Sequence, residues 1–351
     1  MKVSYLLLLF LFGCIEALDN LPLETQRVVI TGEISNDTTA HTVRVYFNTG
    51  YNIPNIYVED ARVKVVDDLG NEVTFNSKGF GIYQTEIKRA FPAGRTYYVS
   101  VRLRDGTIYE SIPEQMIDHE GSLSNVRYEK LFGDLQLYVD YQDAAEERNY
   151  YRWRYGGTYE VYAPIAGLLS EQGIEGSDTI SCFNYRDYPP FSELTYCYVK
   201  DYDRELLVVS HDLLQNGQLV EKFQVANIPV TRKFQRGYFL FAKQHHISER
   251  AYKYWRAIRN QLDNTGSIFE TANYNIRGNI RNTEDAEEEV QGFFEMSSVT
   301  SLGIFVEDYI GTFIEDDACF PQPPTCPPVR CYDCTFTSPS TSKDKPSYWP
   351  K

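Results

Sequence analysis

The sequence predicts a mainly β protein, with a β-sandwich over residues 27–117 followed by a larger antiparallel β domain over residues 124–316. Short runs rich in β-branched and aromatic residues recur along both segments, and several alternate with polar residues as half-buried strands do. Glycine, proline and aspartate cluster between these runs, where tight turns need them. Residues 249–263 instead show helical periodicity, so we expect one long helix within the second domain.

The first domain contains a regular series of strand patterns. Residues 61–65 alternate, which places Val63 and Val65 on one face that we expect to be buried. Another run, residues 96–103, ends shortly before Asp105-Gly106, a preferred pair for a two-residue hairpin turn. Short strands with this spacing are typical of a sandwich.

The second domain is rich in tyrosine and contains the predicted helix. Residues 135–141 alternate, and residues 238–241 also have the composition of a strand. Ser248 is a favourable N-cap for the helix, and apolar residues recur on one helical face after it. We expect this apolar stripe to pack against the second sheet.

The first 13 residues have the layout of a signal peptide. The apolar stretch from Val3 to Phe12 is about half as long as a membrane-spanning helix must be. Leu11-Phe12-Gly13-Cys14 matches a lipobox, so we expect cleavage before Cys14, a diacylglyceryl group on its thiol and a further acyl chain on its new amino terminus, with palmitate among the fatty acids. Residues 14–26 then form an acidic tether. The alternative is an ordinary secretory signal with an unmodified cysteine.

The cysteine count agrees with this interpretation. Of the seven cysteines, six remain once Cys14 is lipidated, an even number that suits disulfides in an oxidising compartment. We expect three disulfides, the first joining Cys182 to Cys197. A zinc site is the alternative for the four cysteines of the tail. Those four lie in a Cys- and Pro-rich tail over residues 317–351: Cys319, Cys326, Cys331 and Cys334.

Charge and motif content exclude several classes of function. The chain has 34 basic and 49 acidic residues and a net charge of -15, which opposes binding to nucleic acid or to an anionic membrane. His245-His246 is expected to be exposed between a strand and the helix, and the acidic run 284–289 to be a solvated hairpin tip, with calcium binding as its alternative. We find no nucleophile elbow and no phosphate-binding loop, so we predict no enzyme activity, no cofactor and no metal.

Aromatic residues are the best candidates for a binding site. The chain has 28 tyrosines, and an exposed tyrosine can both stack and hydrogen-bond. We prefer the region around the predicted Cys182–Cys197 loop, although many of its rings could instead fill the second core. The candidate ligand-binding residues are Trp153, Tyr155, Tyr185, Tyr188, Phe191 and Tyr196.

Two resemblances follow from motifs in the chain. Asp67-Asp68-Leu69-Gly70, Gly81-Ile-Tyr83 and Pro92-Ala-Gly94 resemble the immunoglobulin- or transthyretin-like sandwich of carboxypeptidase-regulatory domains. The whole chain resembles the Bacteroidota outer-membrane lipoproteins of domain-of-unknown-function family 4249. The matching segments are Val28–Ile34, Ser248–Phe269, Ile276–Ile280, Val290–Phe294, Cys331–Cys334 and Pro346–Trp349.

The family resemblance implies a lipid-anchored protein of the outer membrane that faces the cell surface. It implies an accessory role beside a TonB-dependent transporter, by ligand capture or by capping the β-barrel, and the alternative is a stand-alone lipoprotein that binds a glycan or a peptide. Glu16 and Asp19 resemble the export signal of such surface lipoproteins. Thr38 and Thr179 fit the short O-glycosylation pattern of that phylum.

Overall fold

The structure, a computed structural model, describes residues 26–49, 53–118, 122–145, 148–171, 190–202, 208–211, 217–264, 276–306, 319 and 327–350. The predicted mainly β fold is confirmed. Most described strands form one large mixed sheet, and three others form a second sheet. The described helices are α1 (Pro164–Glu171), α2 (Phe191–Leu194) and α3 (Glu249–Asn264).

The strands divide into two groups along the chain. The first group is β1 (Arg27–Ser35), β2 (Thr42–Asn48), β3 (Ile56–Tyr57), β4 (Arg62–Asp67), β5 (Glu72–Ser77), β6 (Ile82–Thr85), β7 (Thr96–Arg102), β8 (Ile108–Ser111) and β9 (Glu114–Gln115). The second group is β10 (Ser122–Leu131), β11 (Asp134–Gln142), β12 (Tyr150–Tyr162), β13 (Tyr196–Tyr202), β14 (Val208–His211), β15 (Leu219–Pro229), β16 (Tyr238–His246), β17 (Ile280–Asn282), β18 (Phe294–Val306) and β19 (Thr341–Ser342).

The first sandwich encloses a core of aliphatic and aromatic side chains. Its strands follow the order β8-β7-β4-β5-β6-β2-β1, and the predicted alternation places Val63 and Val65 in the interior. The same core also contains Val290, Phe294 and Met296, which come from a segment that the sequence assigned to the second domain. The first core therefore closes only with residues from late in the chain.

Strand β18 belongs to both halves of the molecule. Its first residues run parallel to β1, with Gly32 opposite Phe294 and Ser35 opposite Ser297. Beyond that point it pairs antiparallel with β16, from Ser298 to Val306. This continuous strand makes the large sheet mixed and joins the two sandwiches through backbone hydrogen bonds.

The second sandwich packs the three-stranded sheet β10-β11-β15 against the layer that contains β12, β16 and β18. Leu135, Leu137 and Val139 of β11 are buried on one side of this core, and Trp153 and Leu240 are buried on the other. Alternation along each strand places its apolar side chains on the enclosed face.

Helix α3 begins where the sequence predicts. The Ser248 hydroxyl accepts a hydrogen bond from the Ala251 backbone N–H at 3.1 Å, which caps the helix. Ala251 and Tyr252 are buried beside Phe293, so the helix packs near the junction of the two sandwiches. No helix within the described ranges is long and apolar enough to span a membrane.

The C-terminal tail is attached to strand β13 of the large sheet by a disulfide that differs from the predicted one. Cys197 bonds to Cys334, 137 residues later, and Cys319 bonds to Cys331. The predicted Cys182–Cys197 pair and the alternative zinc site are both wrong, because the tail folds back so that β19 pairs with β13 and brings Cys334 to Cys197. Cys182 and Cys326 lie outside the described residues.

Candidate functional site

Trp153 and Tyr155, predicted to bind ligand, belong to the wall of the second core. Trp153 is 0% exposed, and its indole N–H donates to Ser210 Oγ at 3.0 Å. Tyr155 is half-buried and packs against the same core. The prediction that Trp153 binds ligand is therefore wrong, because odd-numbered residues of β12 point toward the three-stranded sheet. The candidacy of the half-buried Tyr155 stays a prediction.

Of the other predicted aromatic side chains, only that of Tyr196 lies within the described part of the chain. Tyr196 is 45% exposed and lies beside Tyr162, with the Arg236 guanidinium over both rings. Phe191 begins α2. Tyr185 and Tyr188 lie outside the described residues, as do Cys14 and Thr179, while Thr38 is exposed between β1 and β2.

A different set of rings lies on the outer face of the β12–β16–β18 layer of the large sheet, opposite the core. Phe241 of β16 stands directly between Gly156 of β12 and Gly303 of β18. A Cβ atom added to Gly156 would meet the Phe241 ring at 2.6 Å, and one added to Gly303 would meet the Phe239 ring. Each ring therefore rests on glycine backbone, in space that any other side chain would fill.

The C-terminal tail adds a third ring to this face. Tyr348 stacks at a tilt on Phe239, with ring centroids 4.4 Å apart, and its hydroxyl lies 2.8 Å from Thr158 Oγ1. Trp349 is buried and fixes this end of the tail by packing against Tyr198 and Phe305. We call the rings of Phe239, Phe241 and Tyr348 the aromatic platform.

Charged groups beside the aromatic platform are neutralised in pairs. Lys243 Nζ lies 5.9 Å from the centre of the Phe241 ring and donates to Asp37 Oδ2 at 2.6 Å. Arg154, on the same face, donates to Glu33 Oε1 at 2.9 Å. The platform is thus an apolar surface with polar but charge-balanced edges, and its partly exposed rings offer stacking without a net charge.

Beneath helix α3, the same outer face is closed by an ion-pair cluster in which Arg152 and Glu295 are buried and Glu33 is 38% exposed. Arg152 donates to Glu33 Oε2 at 2.7 Å and to Glu295 Oε1 at 2.6 Å. Trp255 of α3 donates to Glu295 Oε2 at 2.5 Å, and its ring lies under the guanidinium of Arg152. The cluster joins β1, β12, β18 and α3, so it holds the two sandwiches and the helix together.

The environment of the cluster fixes its protonation. Burial alone would raise the pKa of Glu33, but the charges of Arg152 and Arg154 outweigh burial and hold that pKa well below its usual range. Burial and the neighbouring Arg152 hold the pKa of His245 well below its usual range, so its imidazole is neutral at pH 7. His245 Nδ1 lies 3.0 Å from Ser297 Oγ.

The histidine pair is placed differently from the prediction. His245 and His246 were expected to be exposed, but both are buried in the last residues of β16. Within the described part of the chain, no group of three or more His, Cys, Asp or Glu side chains could hold a metal ion. In the acidic run, Glu288 accepts hydrogen bonds from Tyr109 at 2.9 Å and from Asn282 at 2.5 Å.

The aromatic platform was missed because its rings are few and its glycines are distant in sequence. The pattern of residues 238–241 predicts a strand but does not indicate which of its two faces is exposed to solvent. The usable signal is Gly156 and Gly303, since glycine within a strand pattern marks a close approach of another group. Their common neighbour, Phe241, follows only from the strand pairing.

Comparison with known proteins identifies the family. The family model described as Domain of unknown function (DUF4249) matches residues 16–302. The chain belongs to this family. The resemblance to DUF4249 deduced from the sequence is therefore confirmed. No curated protein matches the chain.

Two solved structures are similar to this DUF4249 protein at low identity. One is a "putative carbohydrate binding protein" from Bacteroides uniformis ATCC 8492, with 8% identity, coverage of 63% of this chain and 90% of that chain, and a TM-score of 0.15. The other is a two-domain fibronectin type-III segment from chicken tenascin, with 10% identity, coverage of 81% and 100%, and a TM-score of 0.16. At these TM-scores neither likeness bears on function.

Proposed function

We propose that this DUF4249 protein is a non-catalytic binding protein that captures a neutral glycan on the aromatic platform. The observation that carries the proposal is the pair of phenylalanine rings laid on glycine backbone on an outer sheet face. A ring in this position keeps one face against the sheet and can offer the other to a ligand.

The chemistry of the platform suits a sugar ring. The π face of an aromatic ring carries partial negative charge and attracts the C–H groups on the flat face of a pyranose. The exposed Tyr348 hydroxyl, which lies 2.8 Å from Oγ1 of the buried Thr158, can exchange hydrogen bonds with sugar hydroxyls at the edge. Because Lys243 and Arg154 are already paired with carboxylates, we expect neutral glycans to bind better than acidic ones.

A peptide fits this surface less well. Extended peptides are often bound by adding a strand to a free sheet edge, where backbone groups are available. Strand β16, which carries both phenylalanines, is hydrogen-bonded to β12 on one side and to β18 on the other. The platform therefore offers side-chain rings but no strand edge.

Binding to an array of neutral and acidic glycans, followed by titration calorimetry with the best ligand, tests the proposal. Phe241→Ala and Tyr348→Ala should each weaken binding about tenfold, because each removes a stacking surface. Phe132→Asn, at the fully exposed tip of the β10–β11 hairpin, is the control and should bind normally. Equal affinity for all four proteins would reject the platform as the site.

We also propose that the protein is anchored to the outer membrane through acylated Cys14 and faces the cell surface. The lipobox around Cys14 and the acidic residues that follow it support this proposal. Metabolic labelling with palmitate should mark the wild-type protein and not the Cys14→Ser variant. When cells are fractionated, the Cys14→Ser variant should no longer be found with the membranes.

An accessory role beside a TonB-dependent transporter is the second candidate function. It is supported by the resemblance to surface lipoproteins of this family, and ligand capture on the aromatic platform is compatible with it. Isolation in mild detergent through a tag at Lys351 should recover a β-barrel protein if the role is accessory. Repeated recovery of the lipoprotein alone would favour a stand-alone glycan-binding protein.

A further inference from the structure

Four large apolar side chains are exposed in two segments of the first sandwich, residues 53–57 and the β5–β6 turn. They project from β3, from the residues before it and from the β5–β6 turn, and the rings of Tyr57 and Phe80 meet edge to face at 6.1 Å. Exposed apolar clusters in a water-soluble body mark contact surfaces. We call these four residues the proximal patch: Ile53, 59% exposed, Ile56, 50%, Tyr57, 49%, and Phe80, 73%.

The proximal patch lies beside the start of the first strand. Ile56 is opposite Phe47 in the β2–β3 pair, and Phe47 is opposite Val28 in the β1–β2 pair. Two strand spacings, about 10 Å, therefore separate β3 from the beginning of β1. The segment that carries Cys14 joins the sandwich at the start of β1, at the same end as the patch.

The backbone holds Phe80 outward in an unfavourable conformation. Gly79, Phe80 and Gly81 have φ angles of 85°, 54° and 68°, and only the two glycines adopt such values freely. Glu59 Oε1 accepts a hydrogen bond from the Phe80 backbone N–H at 3.0 Å. The Phe80 backbone is therefore held in the left-handed region, and this turn keeps the ring exposed to solvent.

We propose that the proximal patch inserts into the lipid–water interface beside the acylated N-terminus, an inference that rests on the proposed anchoring. Aromatic and branched apolar side chains are favoured at the boundary between headgroups and acyl chains. Four side chains cover far less area than the roughly 800 Å² per partner of a stable protein interface. A membrane needs no matching surface, so a small patch is sufficient.

Charge around the proximal patch specifies the kind of lipid. An open groove of about 580 Å³ adjoins it, and Glu59, Asp60 and Asp105 line this groove together with Arg104. One of these carboxylates, that of Asp60, is 3.7 Å from the Arg104 guanidinium. Because carboxylates outnumber cations there, contact with zwitterionic headgroups is favoured over contact with anionic ones.

Co-sedimentation with vesicles tests the patch separately from the anchor. All proteins carry Cys14→Ser, so no acyl chain contributes, and the vesicles are phosphatidylcholine with or without phosphatidylglycerol. Phe80→Asn should lower the partition coefficient about tenfold, because asparagine tolerates the left-handed backbone but lacks the ring. The matched control is Phe132→Asn, since Phe132 is also an exposed phenylalanine with positive φ before a glycine, at 43°.

The expected result is equal partition of the parent protein and of the Phe132→Asn protein, and about tenfold weaker partition of Phe80→Asn. Partition should also weaken when phosphatidylglycerol is added. Absence of partition for the parent protein, or equal partition of both asparagine variants, would overturn the proposal. Palmitate labelling is scored independently. Labelled Cys14 with no vesicle partition rejects only the patch, whereas vesicle partition with unlabelled Cys14 rejects only the anchor.

Discussion

The two faces of the β12–β16–β18 layer carry similar side chains in different surroundings. On the inner face, Tyr151 and Trp153 are enclosed by the three-stranded sheet and are fully buried. On the outer face, α3 covers one end and the C-terminal tail covers the other. Phe239 and Phe241 lie on this face and are only partly buried. What lies opposite a ring, rather than the type of ring, decides whether it stabilises the fold or can meet a ligand.

The largest expected effect is on stability at the inner face. Trp153→Ala should lower the free energy of unfolding by about 3 to 5 kcal/mol, because it leaves a cavity in a closed core. Phe241→Ala should lower it by about 1 kcal/mol or less, since that ring is partly solvated already. Chemical denaturation measures both. Similar losses for the two variants would mean that the outer face is not open in solution.

The covered end of the outer face should behave like a core. Glu295→Ala leaves Arg152 and the Trp255 indole without one of their acceptors, so we expect a loss of about 3 kcal/mol in unfolding free energy. Glu33→Ala is the comparison, because its carboxylate is 38% exposed and solvent can replace it. A larger loss for Glu33→Ala than for Glu295→Ala would contradict this ranking.

Acidification should weaken the same covered end. Burial and Arg152 depress the folded-state pKa of His245, so the unfolded chain binds a proton more readily. Its contribution to stability is therefore complete above the unfolded pKa near 6.5 and falls as the pH decreases below that value. His41, whose pKa burial also lowers, adds to this trend. His245→Gln should flatten the measured slope.

Substitution of a glycine on the outer face of the β12–β16–β18 layer should have the smallest effect on stability but a clear effect on glycan binding. Gly303→Ala places a methyl group where the Phe239 ring now lies, so the ring must tilt away from the sheet. We expect a change of about 1 kcal/mol or less in unfolding free energy and several-fold weaker glycan binding. Gly94→Ala, in a turn where nothing lies nearby, controls for loss of glycine but carries strain at φ 79°.

The periodicity of the sequence predicted the strands and the helix better than it predicted what packs against each of their faces. The run 96–103 became β7 (Thr96–Arg102), and the helix expected at 249–263 is Glu249–Asn264. Alternation also shows that neighbouring residues of a strand face opposite ways, but it does not show which face is covered. Trp153 was therefore assigned to a binding surface although it is a core residue.

Contacts between distant residues were the least predictable. Proximity in sequence favoured a Cys182–Cys197 disulfide, whereas the tail brings Cys334 to Cys197 across 137 residues. The parallel pairing of β1 with β18 is equally remote. Both depend on how whole segments pack, which a local pattern does not encode.

The presence of Phe294 and Met296 in the first core has a consequence for biosynthesis. During translation the N-terminal strands are synthesised first. The core of the first sandwich cannot be completed until the residues near 296 have been synthesised. Until then Val28 and Ile30 lack part of their final packing. Folding of the first sandwich is thus completed late, after nearly the whole polypeptide has been synthesised. Before that, its exposed apolar residues would be a target for holdase chaperones, which prevent aggregation.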